Sequence, residues 1–132
     1  MRTVFREATV VSNVMIQKNG DVIVVYFNDA QILDQLKIQE IGQELQKALD
    51  RAEGHKLLIN FQDVKFMASA MLGNLTSLHK KCREAKVDLK LCCIHPDILE
   101  VFKITRLDRV FDIYDDEAEA ISSFGRRRWL LG

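Results

Sequence analysis

Long apolar runs are missing: no stretch approaches the roughly 20 consecutive apolar residues that a bilayer-spanning helix needs. The N-terminal MRTVFREATVV carries Arg2, Arg6 and Glu7 where a signal peptide would carry an apolar core, so a cytoplasmic chain is expected. An excess of either charge is also missing, because 19 Lys and Arg cancel 19 Asp and Glu. Without a net field, nucleic acid and anionic membranes are poor main partners, and association is expected to be specific to a patch. Cysteine is scarce. Three residues, Cys82, Cys92 and Cys93, make no disulfide framework and suit a reducing compartment as core or near-core thiols. Proline occurs once, at Pro96. No GxxxxGK[ST] loop, GxGxxG turn, HExxH or GxSxG is present, so nucleotide binding, zinc proteolysis and serine hydrolysis have no motif behind them.

What is present organises around Lys56 to Leu75. Leu57, Leu58, Ile59 and Phe61, with only Asn60 polar among them, form an apolar run too short for a helix, the pattern of a strand buried on both faces. Beyond Gln62, Asp63 and Lys65, the residues Met71, Leu75, Leu78, Cys82 and Ala85 recur at spacings of four and three, which predicts a helix with one buried face. The period changes at Ala68 to Ala70. Ser69 therefore falls at a helix N-terminus, where free backbone N–H groups and the dipole favour an anion.

Either side of this stretch the chain alternates. The runs Val10 to Ile16 and Asp21 to Phe27 flank Asn19-Gly20, a hairpin signal. Asp34 is placed to cap a helix from about Gln35 to Ala52, ended by Gly54. The basic cluster His79, Lys80, Lys81, Arg83 and Lys86 lies towards the C-terminal end of the second helix, where it suits the dipole as a solvated face. Val87, Leu89, Leu91 and Cys93 alternate with Asp88, Lys90 and Cys92 as a further strand. Pro96 fits the first turn of a third helix. Val110 to Tyr114 is read as an edge strand, and Asp115, Asp116 and Glu117 place negative charge at the start of a last helix through Ile121.

With 132 residues, 48% of them apolar, the expectation is one α/β domain over residues 1–124, its mostly parallel, mixed sheet standing behind an N-terminal hairpin with about four helices. Residues 125–132 differ in composition. Arg126, Arg127 and Arg128 beside Trp129, Leu130 and Leu131 form a tail that docks on a partner or a membrane surface, packs back on the domain or stays free.

Four zinc-capable side chains invite a metal reading, since His79 and Cys82 are spaced HxxC and Cys92 and His95 are spaced CxxH. With a turn near Lys86, Cys82 lies about 5 Å back along a helix and Cys92 about 16 Å up a strand. Helix and sheet axes stand roughly 10 Å apart as well, so no convergence on one ion is expected. No cofactor is called for.

Asn60 to Gly73, NFQDVKFMASAMLG, resembles the signature of STAS domains, the fold of bacterial anti-sigma-factor antagonists and of the cytoplasmic tails of sulphate transporters. Asp63, Val64, Phe66, Met67, Ser69, Leu72 and Gly73 match the family's wording. The similarity extends from about Val10 to Ile121. The resemblance implies a non-enzymatic partner-switching regulator, controlled by phosphorylation at Ser69 and using Asp34, Ala68, Ser69, Ala70, Met71, Gly73 and Asn74 to bind its partner. It implies an anti-sigma factor that is also a serine kinase, a metal-dependent serine phosphatase, and a chain that is a monomer or weak dimer. Ala68 replaces the family's Asp, and Met71 replaces a Gly, putting a flexible side chain on or near the expected docking surface. Two alternatives stay open. Ser69 can serve as an unmodified N-cap, and the domain can be a non-phosphorylated scaffold subunit of a stress-signalling complex or of a lipid-transporter ATPase.

Overall fold

The apolar run around Ile59 forms the middle strand of a five-stranded sheet. The computed structural model describes residues 12–131, with side chains through residue 124. In chain order the described elements are β1 (Val14–Asn19), β2 (Val22–Phe27), β3 (Gln31–Ile32), α1 (Gln35–Asp50), β4 (Lys56–Asn60), β5 (Phe66–Met67), α2 (Ala70–Ala85), β6 (Asp88–Cys92), α3 (Pro96–Ile104), β7 (Asp112–Tyr114) and α4 (Glu117–Leu131), with a 3-10 turn at Leu107–Arg109. The expected strand start at Val10 and the roles given to Arg126, Trp129 and their neighbours lie outside the described residues and side chains.

The main sheet runs β1-β2-β4-β6-β7, with β1 antiparallel to β2 and the other pairs parallel. Alternation assigns the faces. Ile23, Val25, Leu57, Ile59, Leu89 and Leu91 meet the buried stripes of α1, α2 and α3 in the larger core. Val22, Val24, Leu58 and Cys92 meet Ala120 and Phe124 of α4 on the other side. Asp34 caps α1, accepting from the Lys37 N–H at 2.8 Å, and Pro96 opens α3. Asp116 caps α4 through the Glu119 N–H at 2.7 Å.

Several boundaries differ from the sequence reading. The first strand starts at Val14 and extends through Asn19, and at its start Glu44 of α1 accepts from the N–H groups of Asn13 (3.0 Å) and Val14 (3.1 Å). The hairpin turn is thus Gly20-Asp21, with Gly20 at φ 65°. Helix α1 stops at Asp50, and the positive φ beyond it belongs to His55, not to Gly54. Gly54 is needed for a different reason: a Cβ there would stand 2.5 Å from the Asp21 carbonyl oxygen. Ala85, placed on the buried stripe of α2, is exposed in its last turn.

The pairing of β3 with β5 was not anticipated. Nor does β6 present a polar face to water, because α4 covers it. Lys90 is wholly buried, 3.2 Å from Asp112 and 4.0 Å from Asp88, its ammonium lying 5.2 Å from the ring centroid of Tyr114 and 5.1 Å from that of Phe124. A buried cation survives by such pairing and by ring faces that carry negative potential. At the start of α4, Glu117 accepts from the Tyr26 hydroxyl and from Asn60 Nδ2, both at 2.7 Å. Burial first, then Glu117, push the Tyr26 phenol well above its ordinary range.

Candidate functional site around Ser69

Beyond β4 the backbone must cross from the sheet to the start of α2. Phe61 accepts from the Val64 N–H at 2.9 Å, closing a turn that sends Val64 into the core. The next residues run alongside the segment before α1: the N–H groups of Lys65 and Phe66 donate to Ala30 O (2.8 and 3.1 Å), and that of Ala68 donates to Ile32 O at 2.9 Å. This short parallel ladder, Gln31 with Phe66 and Ile32 with Met67, brings the Asp34 and Ser69 segments to one end of the domain. Neither segment carries enough β pattern to signal it.

Ser69 stands exposed at the head of α2 with φ −61° and ψ −25°, already helical. An N-capping side chain needs the extended backbone that Asp34 has, at φ −76° and ψ 130°. The Ser69 hydroxyl therefore makes no capping bond, contrary to the N-cap alternative. The first turn is instead closed by backbone: the Met71 N–H donates to Ala68 O at 3.0 Å and the Leu72 N–H to Ser69 O at 2.9 Å.

Around the hydroxyl lies an open groove of about 290 Å³. Phe66 (56% exposed), Leu33 (54%) and Val101 of α3 (39%) form its apolar walls, with Met67, Leu72 and Ile98 deeper in it and Lys65 and Asp97 as charged members. Large apolar side chains left this open, side by side and next to an exposed hydroxyl, mark an association surface better than isolated ones do.

The expected site residues divide. Asp34, Ser69, Ala70 and Gly73 are exposed, and a Cβ on Gly73 would meet nothing within 4 Å. Ala68 is half-buried against the core. Met71 is a correction, since its side chain is wholly buried within the larger core and offers nothing to a partner. Asn74 is engaged internally, its Nδ2 donating to Ile38 O of α1 at 2.6 Å, with Gly42 leaving it room. Leu33, Phe66 and Val101 were not recognised as groove walls. Phe66 alone carried a signal, as a large apolar residue between polar Lys65 and the start of a helix.

The zinc-capable residues separate. Cys82 lies in the core under α2, and Cys92 lies on the opposite face of the sheet. His79 stacks edge-on against Phe111 with 5.3 Å between centroids, and His95 Nδ1 accepts from the Asp97 N–H at 3.1 Å to cap α3. Among the described residues no three His, Cys, Asp or Glu side chains group to hold a metal ion. No described helix is long and apolar enough to cross a membrane.

The sequence model of the STAS domain matches residues 13–120, a span that includes the hairpin, the small parallel ladder and the turn that carries Ser69. The chain belongs to the STAS domain family. A curated relative, the anti-sigma F factor antagonist of Paenibacillus polymyxa, is 20% identical over 90 residues, covering 68% of this chain and 77% of that protein. A solved anti-sigma-factor antagonist STAS domain protein from Planctomyces limnophilus shares the fold with a TM-score of 0.75 at 21% identity, over 86% of this chain and 99% of that one. The Bacillus cell fate determinant SpoIIAA, solved in its phosphorylated form, aligns with a TM-score of 0.64 at 17% identity, over 84% and 98%. The groove of this STAS domain lies at the loop that carries Ser69.

Proposed function

We propose that this STAS domain is a non-enzymatic partner-switching regulator that docks an anti-sigma-factor-type serine kinase through the groove beside Ser69 and is released by phosphorylation of that residue. The observation that carries the reading is the free, exposed Ser69 hydroxyl set between Phe66, Leu33 and Val101. Membership of the family, and a curated relative that is an anti-sigma F factor antagonist, support it.

The physics of the switch is local. Apolar walls gain by being taken out of water against a partner. A phosphate on Ser69 brings about 1.5 to 2 negative charges into the same groove, where docking would strip them of water without compensation. In the free domain the phosphate remains solvated at a helix N-terminus, a favourable place for an anion, so the fold need not change. Ala68 puts no carboxylate directly beside Ser69, so a phosphate there would add charge next to the apolar walls of Phe66, Leu33 and Val101.

Affinity capture from the source cell, with the wild-type chain against Ser69→Asp and mass spectrometry as the readout, tests the proposal. The wild type should retain a kinase-class partner that Ser69→Asp loses, and phosphoserine should be found at residue 69 in protein isolated from that cell. Equal capture by both chains, with Ser69 unmodified under every growth condition sampled, would instead support the constitutive scaffold.

A further inference from the structure

Two adjacent thiols end strand β6. Strand geometry sends successive side chains to opposite faces. Leu91 and Cys92 obey it, Leu91 entering the larger core and Cys92 lying beneath α4. Cys93 departs from it. Its φ of 62° is left-handed, an uncommon state for a residue with a side chain, and it turns Cys93 back towards the face that Cys92 occupies. The two sulfurs stand 3.6 Å apart as a result, and Cys93 packs against the same small cluster as Cys92. The arrangement is pinned by the sheet, since the Cys93 N–H donates to Tyr114 O at 3.1 Å and Cys92 O accepts from the Phe61 N–H at 3.0 Å.

The thiols differ in access. Cys92 is wholly buried, and burial above all, with Cys93 next, holds its thiol protonated well above the ordinary range. Cys93 is only half-buried. A small oxidant meets Cys93 first, with Cys92 waiting at contact distance behind it, the layout of an attacking thiol and a resolving thiol.

We propose that Cys92 and Cys93 form a reversible peroxide-oxidation site that closes to a disulfide within the chain. The Cys93 thiolate attacks one oxygen of hydrogen peroxide and the O–O bond breaks. The departing hydroxide takes a proton and leaves as water, and Cys93 becomes a sulfenic acid. The Cys92 sulfur then attacks the sulfenic sulfur, so that the S–S bond forms and the S–O bond breaks. The Cys92 proton leaves with that hydroxyl as a second water. Two electrons have passed from the thiols to the peroxide. The bond spans neighbouring Cα atoms about 3.8 Å apart, short of the roughly 4.4 to 6.8 Å that relaxed disulfides prefer. Such a strained link is easily reduced, which makes it a reversible mark in place of a structural staple. The reaction asks nothing of Ser69 or its groove.

Peptide mapping of the full chain after hydrogen peroxide treatment tests this. Trypsin cuts after Lys90 and Lys103, so one peptide, Leu91 to Lys103, carries both thiols, and buried Cys82 on another peptide serves as the internal reference. After denaturation and alkylation, that peptide should be lighter by two hydrogens and unalkylated, while Cys82 is alkylated. Dithiothreitol should restore double alkylation. Cys93→Ser should leave Cys92 alkylatable at the same dose. Three results would each overturn the proposal: a peptide still doubly alkylated at a dose that oxidises free glutathione, added oxygens on Cys93 with Cys92 still alkylated, or a disulfide joining two chains.

Discussion

The Ser69 hydroxyl makes no capping bond, so removing it takes away one exposed oxygen and little else. Ser69→Ala should shift the unfolding free energy by no more than about 0.5 kcal/mol in urea denaturation, whereas an occupied N-cap would lose roughly 1 kcal/mol. A loss of the larger size would show that the hydroxyl caps α2 in solution. At Cys82 burial, with Asp88 adding to it, pushes the thiol from 9.0 up to about 12. Between those values the unfolded chain has released its proton and the folded chain has not, so stability is complete below pH 9 and declines as pH rises towards 12. Cys82→Ala should show a shallower decline through that window when denaturation midpoints are compared, and an identical slope would remove Cys82 as a cause. The serine itself was legible, because the hydrophobic period changes beside it. Met71 shows the limit: its place in the apolar stripe of α2 pointed inward, and reading it as a surface residue from its departure from the family motif ignored the stripe.

At the scale of elements, β4 and the turn that feeds it carry the strongest requirements. Ile59 is wholly buried in the middle strand, and Ile59→Asp sets an unpaired carboxylate there at a cost of several kcal/mol against a typical total of 5 to 15. No soluble, cooperatively folded protein is expected, and unchanged melting would contradict the sheet assignment. Gly54→Ala should destabilise by about 1 to 3 kcal/mol, because its Cβ would meet the Asp21 backbone, which cannot swing aside as a side-chain tip can. A thermal midpoint equal to wild type would show that the hairpin turn yields. Long periodic elements such as α1 and α2 were readable because one buried face imposes a period over many residues, and β4 because burial on both faces leaves a short, nearly continuous apolar run. The ladder of β3 and β5 was not, since two residues a side define no period and its bonds join segments far apart in sequence.

Over the whole molecule, local pattern spoke for the layered α/β class and the hairpin but not for the strand order, which rests on contacts between distant segments. The cover that α4 lays over Lys90 and Cys92 was hidden for the same reason, because a polar residue alternating along a strand reads as solvent-facing until a second layer is known. That global arrangement is what gathers Leu33 from before α1, Phe66 from after β4 and Val101 from α3 around one serine. The proposed switch requires that charge at this serine governs docking without disturbing the fold. The most direct measurement is the dissociation constant of the captured partner for wild type and Ser69→Asp, with circular dichroism and melting recorded on both chains. A carboxylate suits a helix N-terminus, so the two chains should melt alike, while binding weakens by at least about 1.4 kcal/mol, a tenfold change. Equal affinity of two equally folded chains would contradict it.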